Sequence, residues 1–215
     1  MAPLARDPWR PTGAPTANGR ARPADAEPPG CSPRAPVCVH RAPDASEAAA
    51  RRALSALERA YRRLVDVLGY PRPSGDAGAG GSDALDLYLT RGRARVQAHA
   101  DATATGHFDR ASAHCVVGDA ELLEREAALC LGEAIALGLD PGETPHLRRA
   151  FATHLWWAIE PPTSADFEAV DDFQSTPERA VATREIETNA EGAALFFEYL
   201  DARRGRASPG TLAVD

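Results

Sequence analysis

The 215-residue chain is long enough for one sizeable hydrophobic core or two small ones. Its 31 acidic and 24 basic residues give a formal net charge of −7, which argues against a nucleic-acid partner because phosphate binding requires a basic face. All 24 of those basic residues are Arg, and the lack of Lys excludes Schiff-base chemistry and a P-loop. No apolar run approaches the roughly 18–20 residues of a membrane helix, so the sequence does not predict a membrane partner.

The four cysteines fall into two local pairs, Cys31 with Cys38 and Cys115 with Cys130. An even count in local pairs is typical of a secreted protein with two disulfides, and the sequence leaves their connectivity open. The start of the sequence lacks the apolar core of a signal peptide. We therefore expect a secreted or extracytoplasmic protein whose signal lies upstream of Met1. The alternative is a cytoplasmic protein with four free thiols.

Composition divides the chain into three parts. Residues 1–35 are rich in Pro, Ala and Arg without apolar periodicity, which predicts disorder because such a segment cannot bury enough surface to offset its ordering entropy. Residues 36–205 are predicted to form a single α+β domain. Residues 206–215 are predicted to be a flexible tail.

The first predicted elements are a short strand and a long helix. The ordered part of the chain is predicted to begin with the strand, which runs from Val37 to His40. Asp44 and Glu47 fit a capping box at the start of the helix. Gly69 is predicted to end it. The predicted core stripe recurs at intervals of three and four residues: Ala50, Leu54, Leu57, Tyr61, Leu64 and Leu68.

A glycine-rich stretch over residues 71–83 follows the helix. No helix comes after it, so we interpret it as a loop and not as a phosphate-binding turn. Three alternating runs then predict half-buried strands. Their inward positions are Leu85, Leu87 and Leu89, then Ala94, Val96, Ala98 and Ala100, then Ala113, Cys115 and Val117. The predicted fold class is α+β and predominantly helical, with an antiparallel or mixed sheet of about three to four strands preceding a helical C-terminal half.

The second half of the chain is predicted to be helical. Asp119 is expected to cap a helix running to about Leu137, with Gly138 at its carboxyl end. Thr144 and Pro145 open a helix that reaches about Ile159.

Later cap signals predict three more helical segments. These are a short helix over Ser164–Asp172, a helix beginning at Thr176, and a last helix over Ala190–Arg203. In the last helix we expect three side chains to face the core: Leu195, Phe196 and Tyr199.

Three histidines lie within sixteen positions, His99, His107 and His114. Their imidazoles could converge on a metal. We favour the alternative that the histidines are scattered on the surface near the end of a hairpin. His154 follows in a later helix beside two tryptophans and is interpreted as a packing residue at the core edge.

Three acidic residues lie close together near the start of the last helix: Glu185, Glu187 and Glu191. Paired carboxylates can serve acid–base or metal chemistry, although a solvated helix face is the favoured interpretation. No GxSxG motif is present, so a serine nucleophile is not indicated.

Several sequence pieces resemble a group of secreted bacterial zinc metalloproteases. The likeness covers roughly residues 31–205. It rests on a Cys-led strand, an LGYP-x-P helix end, a Gly/Asp-rich loop, an L-D-x-Y-L strand and a tail helix. Those pieces are Cys38–His40, Leu68–Pro73, Asp76–Asp83, Leu85–Leu89 and Glu191–Gly205.

The resemblance implies a zincin-like fold in which one helix carries HExxH and the next helix supplies a glutamate ligand. This chain lacks HExxH. In the implied register, Cys130 stands at the first histidine, Ala134 at the second and Arg149 at the ligand glutamate, with Glu133 and His154 in the same two helices. The resemblance therefore implies a catalytically inactive relative without a zinc cofactor, because a guanidinium repels a metal cation.

The sequence leaves three hypotheses open. The first is the inactive metalloprotease-like domain, used structurally or to bind a peptide or protein, for example by strand addition to the sheet. The second is a hydrolase with a relocated site that uses His107, His114, His154 or the acidic residues near Glu191. The third is an intracellular helical protein unrelated to proteases. The oligomeric state is left open.

Overall fold

A computed structural model describes residues 22–23, 26–91, 97–103, 110–118, 122–176 and 190–204. Its strands are β1 (Gly30–Cys31), β2 (Val37–Arg41), β3 (Leu85–Thr90), β4 (Gln97–Thr103) and β5 (Ala111–Gly118). Its helices are α1 (Glu47–Tyr61), which continues as a π-helical segment (Arg62–Val67), α2 (Leu123–Leu139), α3 (Pro145–Trp157), α4 (Ser164–Ser175) and α5 (Ala194–Arg204).

The five strands form one mixed sheet in the order β1-β2-β3-β5-β4. The inner pairs β2–β3 and β3–β5 are parallel, whereas β1 and β4 add to the two edges antiparallel. The α+β class and the mixed sheet agree with the sequence prediction. The sheet has five strands among the described residues, where three to four were expected, because the two-residue β1 extends it within the segment predicted to be disordered.

The hydrophobic core lies between one face of the sheet and helices α1 and α2, and it extends to α3, which packs on α2. Alternate strand residues point into it, and they include Val37, Val39, Leu85, Leu87, Leu89, Cys115 and Val117. The opposite face carries a different set, which we call the polar sheet face: Cys38, His40, Asp86, Tyr88, Ser112 and His114, all buried. The sheet is therefore covered on both sides, as parallel strands usually are.

The buried face of helix α1 and its π-helical continuation matches the predicted stripe in part, because Leu57, Tyr61 and Leu64 are buried as expected. Ala49, Ala53, Ala56 and Ala60 are buried, whereas Ala50, Leu54 and Leu68 of the predicted stripe are only half-buried. The prediction did not include the buried alanines, which make contact because the helix lies close to β2 and α2. Its N-cap is Ser46, whose side chain accepts a hydrogen bond from the amide of Ala49, in place of the predicted Asp44.

Several predicted helix ends are shifted. Gly69 follows the π-helical segment with φ of 80°, a conformation that glycine adopts without strain, so this end was predicted correctly. Gly138 lies inside α2, which ends at Leu139 with Asp140 as its C-cap. Thr144 caps α3 as predicted by accepting from the amide of Leu147 at 3.2 Å.

The core side of the last helix differs from the expectation. Tyr199 is 56% exposed and Phe196 is 42% exposed. Leu195 is half-buried, and Phe197 makes the ring contact with Phe151 at 5.3 Å between centroids. Phe196 and Tyr199 were therefore wrongly assigned to the core, because α5 begins at Ala194 and a different side of it faces α3.

Two disulfides join the four cysteines within their local pairs. Cys31–Cys38 links β1 to β2, and Cys115–Cys130 links β5 to α2. Such bonds indicate an oxidising environment of the kind found outside the cytoplasm. Among the described residues, the helices are too short or too polar to cross a membrane.

Several predictions fall outside the described residues. They concern His107, Glu185, Glu187, Ala94, Val96, the cap at Asp119, the helix after Thr176 and the tail over residues 206–215.

Candidate functional site

Helices α2 and α3 cross closely, at the place where the metalloprotease resemblance would put a metal site. A Cβ atom added at Gly132 would lie 2.8 Å from the Cα atom of Ala152, so the two backbones are nearly in contact. Gly132, Ala134 and Ala152 are all buried. Small residues at this crossing therefore set the distance between the two helices.

Cys130, which the resemblance aligns with the first histidine, is bound covalently to the sheet. Its sulfur forms the disulfide with Cys115 of β5, and both residues have no exposed surface. A disulfide sulfur has no thiolate to offer a metal, since only the thiolate is a ligand. Cys130 therefore anchors α2 beneath β5.

Arg149 extends from α3 between two glutamates of α2. Its Nε atom lies 3.0 Å from Oε1 of Glu133, and its Nη1 atom lies 3.6 Å from Oε2 of Glu126. The three side chains are at most 8% exposed. The spacing of Glu126 and Glu133 by seven residues places both carboxylates on one face of α2, where one guanidinium reaches them.

Glu133 also reaches the edge of the sheet. Its Oε2 atom accepts a hydrogen bond from the amide of Ala98 in β4 at 3.1 Å. A single carboxylate thus joins α2, α3 and β4. The amide of Ala98 is engaged by this side chain and is not available to an added strand.

The charges of this cluster reinforce one another. Burial by itself would lower the pKa of Arg149, but Glu133, Glu126 and Glu191 more than offset burial and hold that pKa above its ordinary value. The neighbouring Arg148 differs, because burial lowers its pKa further than Glu133, Glu143 and Asp140 raise it. The carboxylates therefore outweigh the effect of burial on the pKa at Arg149 but not at Arg148.

His154 lies in a separate environment near the end of α3. Its Nδ1 atom lies 2.8 Å from Oε1 of Glu198, and its Nε2 atom lies 3.4 Å from Oδ2 of Asp201. The ring also contacts Phe151 and Phe197, with centroid distances of 6.4 Å and 5.9 Å. His154 thus packs α3 against α5 and holds two carboxylates of α5.

The polar sheet face gathers residues that sequence reasoning treated separately or missed. His99 and His114 are register partners in β4 and β5, and their ring centroids lie 5.4 Å apart. The Tyr88 ring contacts His114 edge-on and stacks on His40 at 4.4 Å. His40 Nε2 lies 2.9 Å from Oδ1 of Asp86.

The signal for this cluster was present in the sequence. In the run Leu85–Leu89, Asp86 and Tyr88 alternate with leucines and so share the face opposite the core. The same alternation in β2 places His40 opposite Val37 and Val39. What the sequence could not supply was the order of the strands, which brings β2, β3, β5 and β4 side by side.

Glu191 belongs to a third cluster. Its Oε2 atom lies 3.2 Å from Arg125 of α2, whose guanidinium also lies 2.7 Å from Oδ1 of Asp166 in α4. Glu191 thus ties the start of the last helical region to α2 and α4.

The described contacts do not bring His114, His154 and Glu191 together at one site. His114 contacts β3 and β4, His154 contacts α5, and Glu191 contacts α2. Within the described part of the chain, no group of three or more His, Cys, Asp and Glu residues is arranged to hold a metal ion.

Comparison with known proteins does not assign the chain to a family. No protein-family model matches the chain, and neither the curated proteins nor the solved structures include a match. The observed fold and contacts define the class: an α+β protein with a mixed sheet, two disulfides and a buried Glu–Arg–Glu cluster between its two central helices.

Proposed function

We propose that this protein is a catalytically inactive, metalloprotease-like domain that works outside the cytoplasm as a structural or protein-binding module. The observation that carries the proposal is the position of Arg149 between Glu126 and Glu133. A guanidinium there supplies the positive charge that a metal would supply in a zincin-like enzyme, and it is a counter-ion for the two buried carboxylates.

The chemistry of the donor set supports this proposal. In the register of the resemblance, the three ligand positions are a disulfide sulfur, a methyl group and a guanidinium, at Cys130, Ala134 and Arg149. None of these groups donates an electron pair to zinc. The fixed cation of Arg149 would in addition repel a metal ion placed beside it.

The contacts of the edge strand β4 near Ala98 favour a structural role over the addition of a peptide strand there. An added peptide strand needs free amides and carbonyls along an edge strand. The amide of Ala98 in the edge strand β4 already donates to Glu133. Glu133 therefore closes this part of the edge and braces it against α2.

The two disulfides support the proposal that the protein works outside the cytoplasm. Cys115 and Cys130 cross-link the sheet to the helix that carries Glu133, and such a bond persists in an oxidising environment outside the cytoplasm.

The test is a metal and activity measurement on the purified full chain. We expect less than about 0.1 zinc per chain after incubation with zinc and desalting, because the donor set lacks ligands. We also expect no turnover of a mixed fluorogenic peptide library. Zinc at one ion per chain would contradict the proposal.

A matched pair of variants tests whether any peptide turnover depends on Glu133. Glu133→Gln changes the buried cluster, and Glu124→Gln changes a carboxylate of the same helix that is 43% exposed. Peptide turnover that is lost in the first variant and kept in the second would assign a catalytic role to Glu133 and overturn the proposal.

A further inference from the structure

A nearly buried arginine from the N-terminal segment lies against the polar sheet face. This residue is Arg22, whose side chain is 16% exposed. The side chains of Asp76 and Asp86 beside it are 2% and 0% exposed. Arg22 precedes Asp86 by 64 residues, so the contact joins distant parts of the chain. This contact is separate from the α2–α3 cluster and does not depend on what that cluster does.

Among the described residues, Asp76, Asp86 and Tyr88 contact the guanidinium of Arg22. Its Nη2 atom donates to Oδ2 of Asp76 at 2.5 Å, and its Nη1 atom donates to Oδ2 of Asp86. The Cζ atom lies 5.9 Å from the centroid of the Tyr88 ring, and Nη1 lies 3.4 Å from the Tyr88 hydroxyl. The pocket thus offers a carboxylate to each terminal nitrogen and an aromatic ring to the cation.

The walls of the pocket are held by bonds that do not involve Arg22. Oδ1 of Asp76 accepts from the amides of Gly78 and Ala79 at 2.9 Å and 3.1 Å, which leaves Oδ2 for the guanidinium. Oδ1 of Asp86 is engaged by His40, which leaves its Oδ2 in the same way. Each carboxylate therefore has one oxygen held by another part of the chain and one oxygen facing the guanidinium, and such an arrangement lowers the entropic cost of binding a cation.

The glycine-rich loop closes the pocket from above. A Cβ atom added at Gly80 would lie 1.5 Å from Oδ2 of Asp86, so the loop backbone lies directly on this carboxylate. Gly78 and Gly81 have φ angles of 83° and 102°, which other L-residues adopt only with strain. The glycines are thus required by the loop that positions Asp76 over Asp86.

The charge and shape of the pocket select a guanidinium. Two buried carboxylates without a cation would be strongly destabilising. Two separate carboxylates facing two nitrogens suit the planar fork of arginine better than the single ammonium of lysine. The Tyr88 ring adds a cation–π contact, which arginine makes more often than lysine.

We propose that Asp76, Asp86 and Tyr88 form an arginine-recognition pocket, which Arg22 occupies in cis and which an arginine of a separate peptide chain occupies when Arg22 leaves. Pro23 follows Arg22, and a residue before proline is held in an extended conformation. The ligand class is therefore an extended peptide with an Arg-Pro pair. The N-terminal segment acts as a tethered competitor for this ligand.

The test adds the arginine in trans. The full chain carrying Arg22→Gln is titrated by calorimetry with a capped hexapeptide of residues 21–26, Ala-Arg-Pro-Ala-Asp-Ala, and the wild-type chain is titrated in parallel. We expect the variant to bind at least about tenfold more tightly than the wild type, because the tethered Arg22 competes at an effective concentration on the order of millimolar. A peptide with Lys in place of Arg should bind the variant at least about tenfold more weakly.

Two controls define failure. Asp86→Asn in the Arg22→Gln background should abolish peptide binding, and Glu27→Gln, which removes a contact of Arg41 elsewhere in the same segment, should leave it unchanged. If the Arg22→Gln variant is poorly folded, the peptide should raise its melting temperature, as a ligand of the native state does. Absence of both binding and stabilisation at about 1 mM peptide, or equal responses to the Arg and Lys peptides, would overturn the proposal.

Discussion

Glu133 and Arg149 join the two central helices through a contact of 3.0 Å between Oε1 and Nε, while the second oxygen of Glu133 holds the amide of Ala98. One carboxylate therefore connects α2, α3 and the edge strand β4. Because all of these groups are buried, the energy of the contact depends on both charges being present.

Removal of the cation alone should be costly. Arg149→Met leaves Glu133 and Glu126 buried without their counter-ion, and we expect the free energy of unfolding in urea to fall by about 3 kcal/mol or more. The double variant Glu133→Gln/Arg149→Met should be more stable than Arg149→Met, since the glutamine is neutral and still accepts from Ala98. Arg51→Met, which breaks an exposed pair with Glu47, is the control and should change stability by less than about 0.5 kcal/mol. A double variant no more stable than Arg149→Met would show that the charge of Glu133 does not carry the effect.

The alternation of apolar residues predicted the strands but not their surroundings. Period-two runs identified the core positions of β3 and β5 because a half-buried strand repeats every two residues. The outward residues Asp86 and Tyr88 follow from the same rule. Their burial does not, because it comes from Arg22 and from the loop at Gly80, which approach through long-range contacts that local sequence patterns do not encode.

Helix ends were predictable where a side chain or a backbone conformation defines them. Thr144 and Gly69 were identified correctly because each leaves a specific chemical signature, a hydroxyl acceptor and a positive φ. Gly138 is the same residue type without the same role, because α2 continues past it to Leu139 and ends with Asp140 as its C-cap. The buried Glu133–Arg149 pair was not predictable either, since both residues look like solvated positions until the crossing of α2 and α3 is known.

The crossing of α2 and α3 gives a second prediction. Gly132→Ala would place a methyl group 2.8 Å from backbone and side-chain atoms of Ala152, so the helices must move apart. We expect the free energy of unfolding to fall by about 1–3 kcal/mol. Gly138→Ala is a matched control on the same helix, because its added Cβ would lie 3.4 Å from the Ser74 hydroxyl and the helix gains an alanine. If the free energy of unfolding in urea is the same for Gly132→Ala and Gly138→Ala, the close crossing of α2 and α3 is contradicted.

The two disulfides should contribute unequally. Their sequence separations are 15 residues for Cys115–Cys130 and 7 residues for Cys31–Cys38. Loop-closure entropy predicts that replacing the first pair by alanine costs about 3 kcal/mol and replacing the second about 2.4 kcal/mol, before packing losses. The first pair is also fully buried, so we expect a clearly larger drop in melting temperature for it. Thiol titration of the unreduced, denatured wild-type chain should find no free thiol, and finding four would contradict both disulfides.

Acid sensitivity should be concentrated at the start of α4. Asp166 Oδ2 accepts from the amide and the hydroxyl of Thr163 at 2.8 Å and 2.7 Å, and Arg125 lies 2.7 Å from its Oδ1. Burial would raise the pKa of Asp166, but these hydrogen bonds and the Arg125 charge outweigh burial and lower that pKa below its ordinary value. Between the folded pKa and the unfolded pKa of about 3.9, the unfolded state binds more protons, so stability increases with pH through that window.

It follows that the wild type should be more stable than Asp166→Asn above about pH 4, and that the difference should vanish as the pH falls through the folded pKa of Asp166. Unfolding free energies measured from pH 2 to pH 7 check this. Thr163→Val removes the hydroxyl donor but keeps the amide, so it should retain a smaller part of the pH dependence. An Asp166→Asn variant that loses stability with acid as steeply as the wild type would show that another carboxylate controls the acid limb.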